Sequence, residues 1–484
     1  MINKPLSEKR TPLTYCLYAL AMLIPCAYLL MWYVIQGRSF LSAKPYFSDE
    51  IGYWRLMYSI DNCGFGFGIN EGFVGLNAKI GNLGCHGIAP ILAWGWYALL
   101  FTWRENSVFT ANFIMLTVSI AALIFLCKPD KKKTIGIIAL LLLYSPVVLY
   151  INTAMMEIPC SSAVILYSAL YLRWRSKREK PVFFCAVIFG IYMAGLRICY
   201  AALLLPLLWE SCGFSFSKKA VITVLALAVG TVCFYKITSL FVADYPWWFT
   251  LTLKNAPKEY RLQMILSHSL RNIKVYFASC LRVDAEAAFR WMYLASMLYF
   301  LYKSIAKGER RRLYLSFFVV YAAMLAANIA LYDVYGWLDY RMLSPSLLFA
   351  LLFTISDAEI GKGVKAAALS LEALALCVTL ITVIPAGTFV HEERFTETQD
   401  NKAAFAEVFG EEIASVSTMC EDGVFDRVKD IPPQIGIKWM TDEGGIITSD
   451  TEFIMIGADD REVSSDYEFV GKPADKCYVY RKVN

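Results

Sequence analysis

Ionisable side chains stand beside apolar segments at several points of this 484-residue chain. Two adjacent carboxylates, Asp49 and Glu50, follow the first apolar segment by about a dozen residues. Later segments are accompanied by four single residues, namely His86, Glu157, Arg197 and Arg341. Charged groups beside a membrane are costly and therefore indicate function. Because a carboxylate can deprotonate a hydroxyl group and arginine can neutralise a phosphate, these residue types predict a site that does both.

The composition is that of a membrane protein. Hydrophobic residues make up 58% of the chain and aromatic residues 15%, with a mean hydropathy of +0.49. A soluble globular chain of this length is not expected to be so apolar. Lysine and arginine occur in short clusters between apolar runs rather than on one face, which argues against nucleic-acid binding.

Eleven apolar runs predict membrane spans, at residues 13–35, 107–127, 134–152, 158–172, 182–196, 198–212, 220–242, 286–304, 313–332, 342–356 and 366–386. Several are shorter than the roughly 20 residues that a perpendicular helix needs. With eleven spans, every basic cluster falls on the cytoplasmic side, as the positive-inside rule requires. The predicted protein is therefore multi-pass in the cell membrane, with its N terminus inside and its C terminus outside.

Segments 36–106, 243–285 and 333–341 and the tail from about residue 388 lie outside the cell in this topology. The first contains another apolar stretch, Gly87–Trp103, which would move Lys131–Lys133 to the outside if it crossed. We predict that this Trp- and Tyr-rich stretch is a helix in the outer interface. An ordinary span is the alternative. The first apolar run is long and has no small-residue cleavage site after it, so an anchored span is expected there.

The tail differs in charge from the rest of the chain. Residues 388–484 carry 10 Lys/Arg and 21 Asp/Glu, a net charge of −11, whereas residues 1–387 have a net charge of +16. The run Asp400–Val416 predicts a helix with Asp400 as its N-cap, and alternating pieces at 436–440, 452–456 and 476–480 predict strands. We therefore expect a transmembrane domain at 1–387 and a small extracytoplasmic α/β domain at 388–484.

Most of the 14 cysteines lie in apolar runs and are expected to act as small hydrophobic residues. Others lie outside these runs, among them Cys63, Cys85, Cys420 and Cys477, and an oxidising compartment would permit the disulfides Cys63–Cys85 and Cys420–Cys477. The sequence contains no CxxC pair and no HExxH motif, so it has no zinc signature.

The order of the ionisable residues resembles that of GT-C glycosyltransferases, especially the family-39 protein O-mannosyltransferases and lipid A aminoarabinose transferases. The resemblance covers roughly residues 10–390. It begins with Asp49-Glu50 in the first outer loop and a His-Gly-x-x-Pro segment at His86, where the family has His-Pro-Pro. Glu157 then follows a Ser-Pro-Val-Val-Leu-Tyr segment. Arg197 lies between two short spans, and Arg341 begins an Arg-x-x-x-Pro motif.

This resemblance implies an all-α polytopic enzyme that moves a sugar from a polyprenyl-phosphate donor to an acceptor hydroxyl on the outer face. It implies that Asp49 is the general base and that Glu50 orients the acceptor or Asp49. The donor phosphate would be bound by His86, Arg197 and Arg341, and the acceptor would be bound by Glu157. The acceptor class, whether lipid, glycan or protein, stays open. No cofactor is required, although a divalent metal is the open alternative because oligosaccharyltransferase relatives use one.

Two other functions are compatible with the same residues. In a lipid-glycan flippase or a transporter of cell-envelope precursors, the acids and arginines would line a path. Transporters tend to show internal repeats and polar groups at the midplane, whereas here no repeat occurs and the polar groups lie at outer ends. In a non-catalytic assembly or sensor protein, the acidic tail would be the working part.

Overall fold

The structure is a computed structural model that describes residues 11–46, 48–64, 72–73, 87–214, 218–242, 249, 252–253, 256–306, 308–331, 338–385, 391–397, 399–419, 424–440, 445–457 and 461–483. These residues are mostly helical, and they form one small sheet whose strands come mainly from the tail.

The helices of the membrane part alternate with short connections. In chain order they are α1 (Pro12–Met22), α2 (Ile24–Gln36), α3 (Ser48–Cys63), α4 (Ala89–Leu100), α5 (Ser107–Cys127), α6 (Lys131–Leu143), α7 (Ser145–Tyr150), α8 (Glu157–Lys177), α9 (Lys180–Leu196), α10 (Leu204–Ser211), α11 (Lys218–Ser239), α12 (Lys258–Ser279), α13 (Ala285–Ile305), α14 (Arg311–Leu331), α15 (Leu338–Ser356) and α16 (Lys362–Val383). Short 3-10 helices occur at Phe40–Ser42 and Ile198–Leu203.

Several of these helices are apolar enough for a membrane protein. Among the described residues, α5, α14 and α16 are long and apolar enough to cross a membrane. Helices α1 and α2 are bent by 48° relative to each other, and together they would form a fourth candidate span. Pro25 in the first turn of α2 lacks the N–H that would continue the hydrogen-bond ladder, which accounts for the break. The number of eleven spans and the orientation of the chain stay predictions.

The segments predicted to lie outside the cell contain helices of their own. The stretch predicted to lie in the interface is helical over α4, which has 12 residues and is shorter than a membrane crossing needs. Segment 243–285 contains α12, a helix that the apolar pattern did not predict. Its hydrophobic side chains, among them Leu262, Leu266 and Leu270, are exposed along one stripe, whereas His268 and Asn272 are buried. A helix with this mixed composition is not recognised by an apolar run.

The helix α8 lies at the centre of the bundle. It packs against α5, α9 and α15, and almost every residue from Glu157 to Ala169 is buried. Its first turns contain small side chains at Ser161, Ser162 and Ala163, which let neighbouring helices approach closely. The two ends of α8 therefore hold their side chains in fixed places at opposite ends of the bundle.

The tail forms a mixed sheet with short helices. Its elements are α17 (Lys402–Phe409), β2 (Ala414–Met419), α18 (Val424–Val428), β3 (Ile435–Met440), β4 (Phe453–Ile456), β5 (Tyr467–Ala474) and β6 (Cys477–Lys482), preceded by a 3-10 turn at Glu392–Phe395. A two-residue strand from the first outer loop, β1 (Gly72–Phe73), completes the strand order β1-β3-β2-β4-β6-β5. Strands β1 to β4 pair in parallel, whereas β4–β6 and β5–β6 are antiparallel.

The strands predicted at 436–440, 452–456 and 476–480 are confirmed as β3, β4 and β6. The predicted helix Asp400–Val416 is wrong in its second half, because α17 ends at Phe409 and β2 begins at Ala414. Gly410 has φ +72° and ψ −170°, a backbone conformation that favours glycine and ends the helix. Asn401, not Asp400, is the N-cap. The two disulfides stay predictions, since Cys85 and Cys420 lie outside the described residues.

The tail is tied to α3 by a buried arginine. The guanidinium of Arg55 donates to the backbone carbonyls of Val428, Ile431, Pro432 and Ile435 at 2.5–3.4 Å. Burial lowers the pKa of Arg55 to about 10, so the group keeps its charge at neutral pH. Four carbonyl dipoles then replace its water shell. The domain boundary at 387/388 stays a prediction. The tail pairs with β1 and contacts α3, and both of these elements belong to segment 36–106.

Candidate functional site

The helix α3 begins with the two carboxylates that the sequence singles out. Asp49 and Glu50 lie in its first turn, where the positive end of the helix dipole stabilises negative charge. Neighbouring residues of a helix point about 100° apart, so the two side chains face different surroundings. The Asp49 side chain is 24% exposed, whereas that of Glu50 is completely buried.

Asp49 belongs to a cluster of four charged residues, which we call the four-residue cluster: Asp49, Glu157, Arg197 and Arg341. Arg341 Nη2 donates to Asp49 Oδ2 at 3.0 Å, and Arg341 Nε donates to Glu157 Oε1 at 2.9 Å. Arg197 Nη2 donates to the same Glu157 oxygen at 2.7 Å. Two carboxylates and two guanidinium groups therefore alternate in one chain of ion pairs, and their formal charges cancel.

The fold brings these residues together from four separate elements. Glu157 is the first residue of α8, and Arg341 lies near the start of α15. Arg197 has an extended backbone, φ −150° and ψ 125°, at the break between α9 and the following 3-10 helix. This break turns its guanidinium toward α15, where Arg197 Nη1 donates to the carbonyl of Arg341 at 2.9 Å. A continuous helix through Arg197 would separate the two arginines.

The cluster is graded from buried to open. Glu157 is the buried end, with a side chain 1% exposed, whereas Arg197, Arg341 and Asp49 are 15%, 19% and 24% exposed. The second carboxylate oxygen of Glu157, Oε2, is buried and has no hydrogen-bond partner among the described residues. A buried carboxylate oxygen without a donor is costly. The oxygen is therefore suited to accept a hydrogen bond from a bound molecule.

Glu50 holds three parts of the chain together. Its two oxygens accept from Arg394 Nη1 and Nη2 at 2.8 and 2.9 Å, and both side chains are completely buried. The same carboxylate accepts from the backbone N–H groups of Tyr46 at 2.8 Å and Ala154 at 3.1 Å. The Glu50 carboxylate thus joins the start of α3, the loop before Glu157 and the first turn of the tail.

Sequence reasoning missed Tyr53, which lies one turn after Asp49 on the same face of α3. The side chain is buried, and its ring packs against Trp94 with centroids 5.6 Å apart. Burial, and then the charge of Asp49, raise the pKa of Tyr53 well above its usual value. The i, i+4 spacing to Asp49 was the signal that could have identified this residue.

His86 lies outside the described residues, so its predicted role at the donor phosphate stays a prediction. The structure brings Asp49, Glu157, Arg197 and Arg341 together as described, and it buries Glu50 beside them on the other face of α3.

The four-residue cluster does not fit a divalent metal. Among the described residues, no group of three or more His, Cys, Asp or Glu side chains could hold one. The two carboxylates of the cluster are bridged by Arg341, whose guanidinium lies between them. A cation bound between Asp49 and Glu157 would meet this positive charge, and we derive no chemical step through a metal.

Comparisons with known proteins found a similar solved structure but no matching family model. A scan against protein-family models found no match, and a search of curated proteins found none either. Among solved structures, the chain is similar to the crystal structure of the Archaeoglobus fulgidus oligosaccharyltransferase in complex with Zn and sulfate, with 13% sequence identity and a TM-score of 0.41. The likeness covers 87% of this chain and 62% of that protein. The chemistry proposed for this chain rests on its own side chains.

Proposed function

We propose that this chain is an integral membrane glycosyltransferase that moves a sugar from a polyprenyl-phosphate donor to an acceptor hydroxyl on the outer face of the membrane. The observation that supports this proposal is the four-residue cluster. It places one partly open carboxylate within 3.0 Å of an arginine that also contacts a buried carboxylate. A base and a phosphate-binding cation are the two groups that such a transfer needs side by side.

In this reaction Asp49 takes the proton of the acceptor hydroxyl. The hydroxyl oxygen forms a bond to the anomeric carbon of the sugar while the bond from that carbon to the phosphate oxygen breaks. The electron pair of the broken bond stays on the polyprenyl phosphate, which leaves with one more negative charge. Arg341 and Arg197 stabilise this charge, because charge-assisted hydrogen bonds strengthen in a site that excludes water.

The ion pairs of the cluster determine the charge of Asp49 and the donors that Arg341 has available before the reaction. Arg341 favours the ionised form of Asp49, which a general base requires. Arg341 uses Nε and Nη2 for the two carboxylates, which leaves Nη1 for a phosphate oxygen. A bound phosphate would draw the guanidinium away from Asp49 and release the carboxylate for the acceptor proton.

The remaining residues bind and orient. Glu157 Oε2 would accept a hydrogen bond from the acceptor, since the oxygen is buried without a donor among the described residues. Glu50 orients Asp49 through the first turn of α3, because both oxygens of Glu50 are already engaged by Arg394. We assign His86 to the donor phosphate on the resemblance alone.

The test is Asp49→Asn in the purified full-length chain, reconstituted in liposomes with a panel of short-chain polyprenyl-phosphate sugars carrying labelled hexoses or pentoses. Loss of the base is expected to reduce sugar transfer by about 10²–10⁴-fold. Asp61→Asn is the matched control on the same helix, because its remaining oxygen can still accept from the backbone N–H of Trp103. Equal transfer by wild type and Asp49→Asn would overturn the proposal.

A further inference from the structure

A large cavity lies at the end of the bundle opposite the four-residue cluster. Helix α8 runs 21 residues from Glu157 to Lys177, which separates its two ends by about 30 Å. At the C-terminal end of α8, an open cavity of about 1600 Å³ lies between α1, the end of α5, the start of α6, α10 and the start of α14. The positive-inside rule predicts that this end faces the cytoplasm.

The buried carboxylates of the cavity are already neutralised by arginines. Asp357, whose side chain is 2% exposed, accepts from Arg175 Nη1 at 2.6 Å and from Arg310 Nη1 at 2.9 Å. Glu210 is similarly buried and accepts from Arg178 Nη2 at 2.6 Å. These pairs connect the ends of four helices in the wall of the cavity.

The charge that remains over the cavity is positive. Eight Lys/Arg and six Asp/Glu side chains line it. Three of the lysines, Lys128, Lys131 and Lys177, are exposed and have no carboxylate within 4 Å among the described residues. These three lysines lie at the ends of α5, α6 and α8 and line the same cavity.

The same cavity has an apolar part. Tyr15, Leu126, Leu172 and Leu313 contribute to its lining, and Tyr15 is 58% exposed. A free phosphate ion cannot make apolar contacts with such a surface. A phospholipid can, because its hydrocarbon chains lie within a few bonds of its phosphate. We propose that this cavity binds the phosphate headgroup of an anionic membrane lipid, with Lys128, Lys131 and Lys177 contacting the phosphate.

The test measures lipid binding by the purified full-length chain in detergent, with phosphatidylglycerol as the probe and phosphatidylcholine as the neutral comparison, by native mass spectrometry. The variant Lys128→Gln/Lys131→Gln/Lys177→Gln removes the three uncommitted charges. Each lysine near an anionic lipid contributes about a fivefold gain in affinity, so the triple variant is expected to bind phosphatidylglycerol about 100-fold more weakly. Because the three side chains are exposed, its thermal unfolding midpoint is expected to stay near that of wild type.

The matched control is Lys258→Gln/Lys274→Gln/Lys402→Gln, which removes three exposed charges elsewhere in the chain. Its affinity for phosphatidylglycerol is expected to stay within threefold of wild type. Equal losses in the two triple variants, or no loss in the first, would overturn the proposal. Inorganic phosphate that competes with the lipid at millimolar concentration would also overturn it, because the site would then bind a soluble anion.

Discussion

The ion pair between Glu50 and Arg394 decides whether Glu50 acts in the chemistry or holds the site in place. Replacing Arg394 by Met removes two charge-assisted hydrogen bonds and leaves the Glu50 carboxylate buried. Breaking a buried pair from one side costs about 3–5 kcal/mol. Two backbone N–H groups still donate to Glu50, so we expect the lower end, about 3 kcal/mol.

The double variant Glu50→Gln/Arg394→Met tests the same pair from both sides. Glu50→Gln alone leaves Arg394 buried opposite a neutral amide and is expected to cost about 4 kcal/mol. The double variant removes both charges, so its cost is expected to fall about 2–3 kcal/mol below the sum of the single costs. Arg38→Met is the control, because Arg38 contacts the same tail segment only weakly, by an exposed hydrogen bond of 3.4 Å to the Phe395 carbonyl and a cation–π contact with the Phe395 ring at 5.7 Å.

The assay is unfolding of the purified chain by SDS in mixed micelles, followed by tryptophan fluorescence, with sugar transfer measured on the same samples. Two results would refute the reasoning. Arg394→Met could unfold within about 0.5 kcal/mol of Arg38→Met, which would mean that the pair adds no stability. Alternatively, Glu50→Gln could abolish transfer at wild-type stability, and Glu50 would then act in the reaction itself.

Three further predictions concern the cluster and the cavity. Arg341→Lys is expected to lower kcat/KM about 10²-fold, since an ammonium group cannot contact two carboxylates in the planar geometry of a guanidinium; an unchanged value in a donor titration would contradict the assigned role. Tyr53→Phe keeps the buried ring and removes a hydroxyl next to Asp49, so transfer is expected to fall about tenfold with an unchanged unfolding midpoint, which the transfer and SDS assays together measure. The cavity provides a pH test: burial alone would raise the pKa of Asp357, but Arg175 holds it below the usual value of 3.8. The stability that the ionised Asp357 carboxylate contributes is therefore fully present above about pH 5 and is lost as the pH falls below about 4. The thermal unfolding midpoints of wild type and Asp357→Asn are expected to converge below about pH 4.

The membrane part shows how far an apolar pattern predicts a fold. Each of the eleven predicted runs overlaps described helix, because an apolar run is a local property of the sequence. Helix α12 escaped prediction because its buried face carries His268 and Asn272 while its leucines point outward. A run of residues does not show which face of a helix packs against neighbouring helices.

The candidate site shows the same division. The types of Asp49, Glu157, Arg197 and Arg341, and the cost of charge near a membrane, were enough to select them from the sequence. Their contacts depend on elements 40 to 292 residues apart in the chain. The sequence by itself determined which residues could do chemistry, whereas only the tertiary structure separated Asp49 from its neighbour Glu50. Adjacent helical residues point about 100° apart, so the Asp49 carboxylate lies beside the partly exposed Arg341, whereas the Glu50 carboxylate is buried against Arg394. Arg394 is 344 residues from Glu50 in the chain, and only the packing of the tail on α3 brings the two side chains into contact.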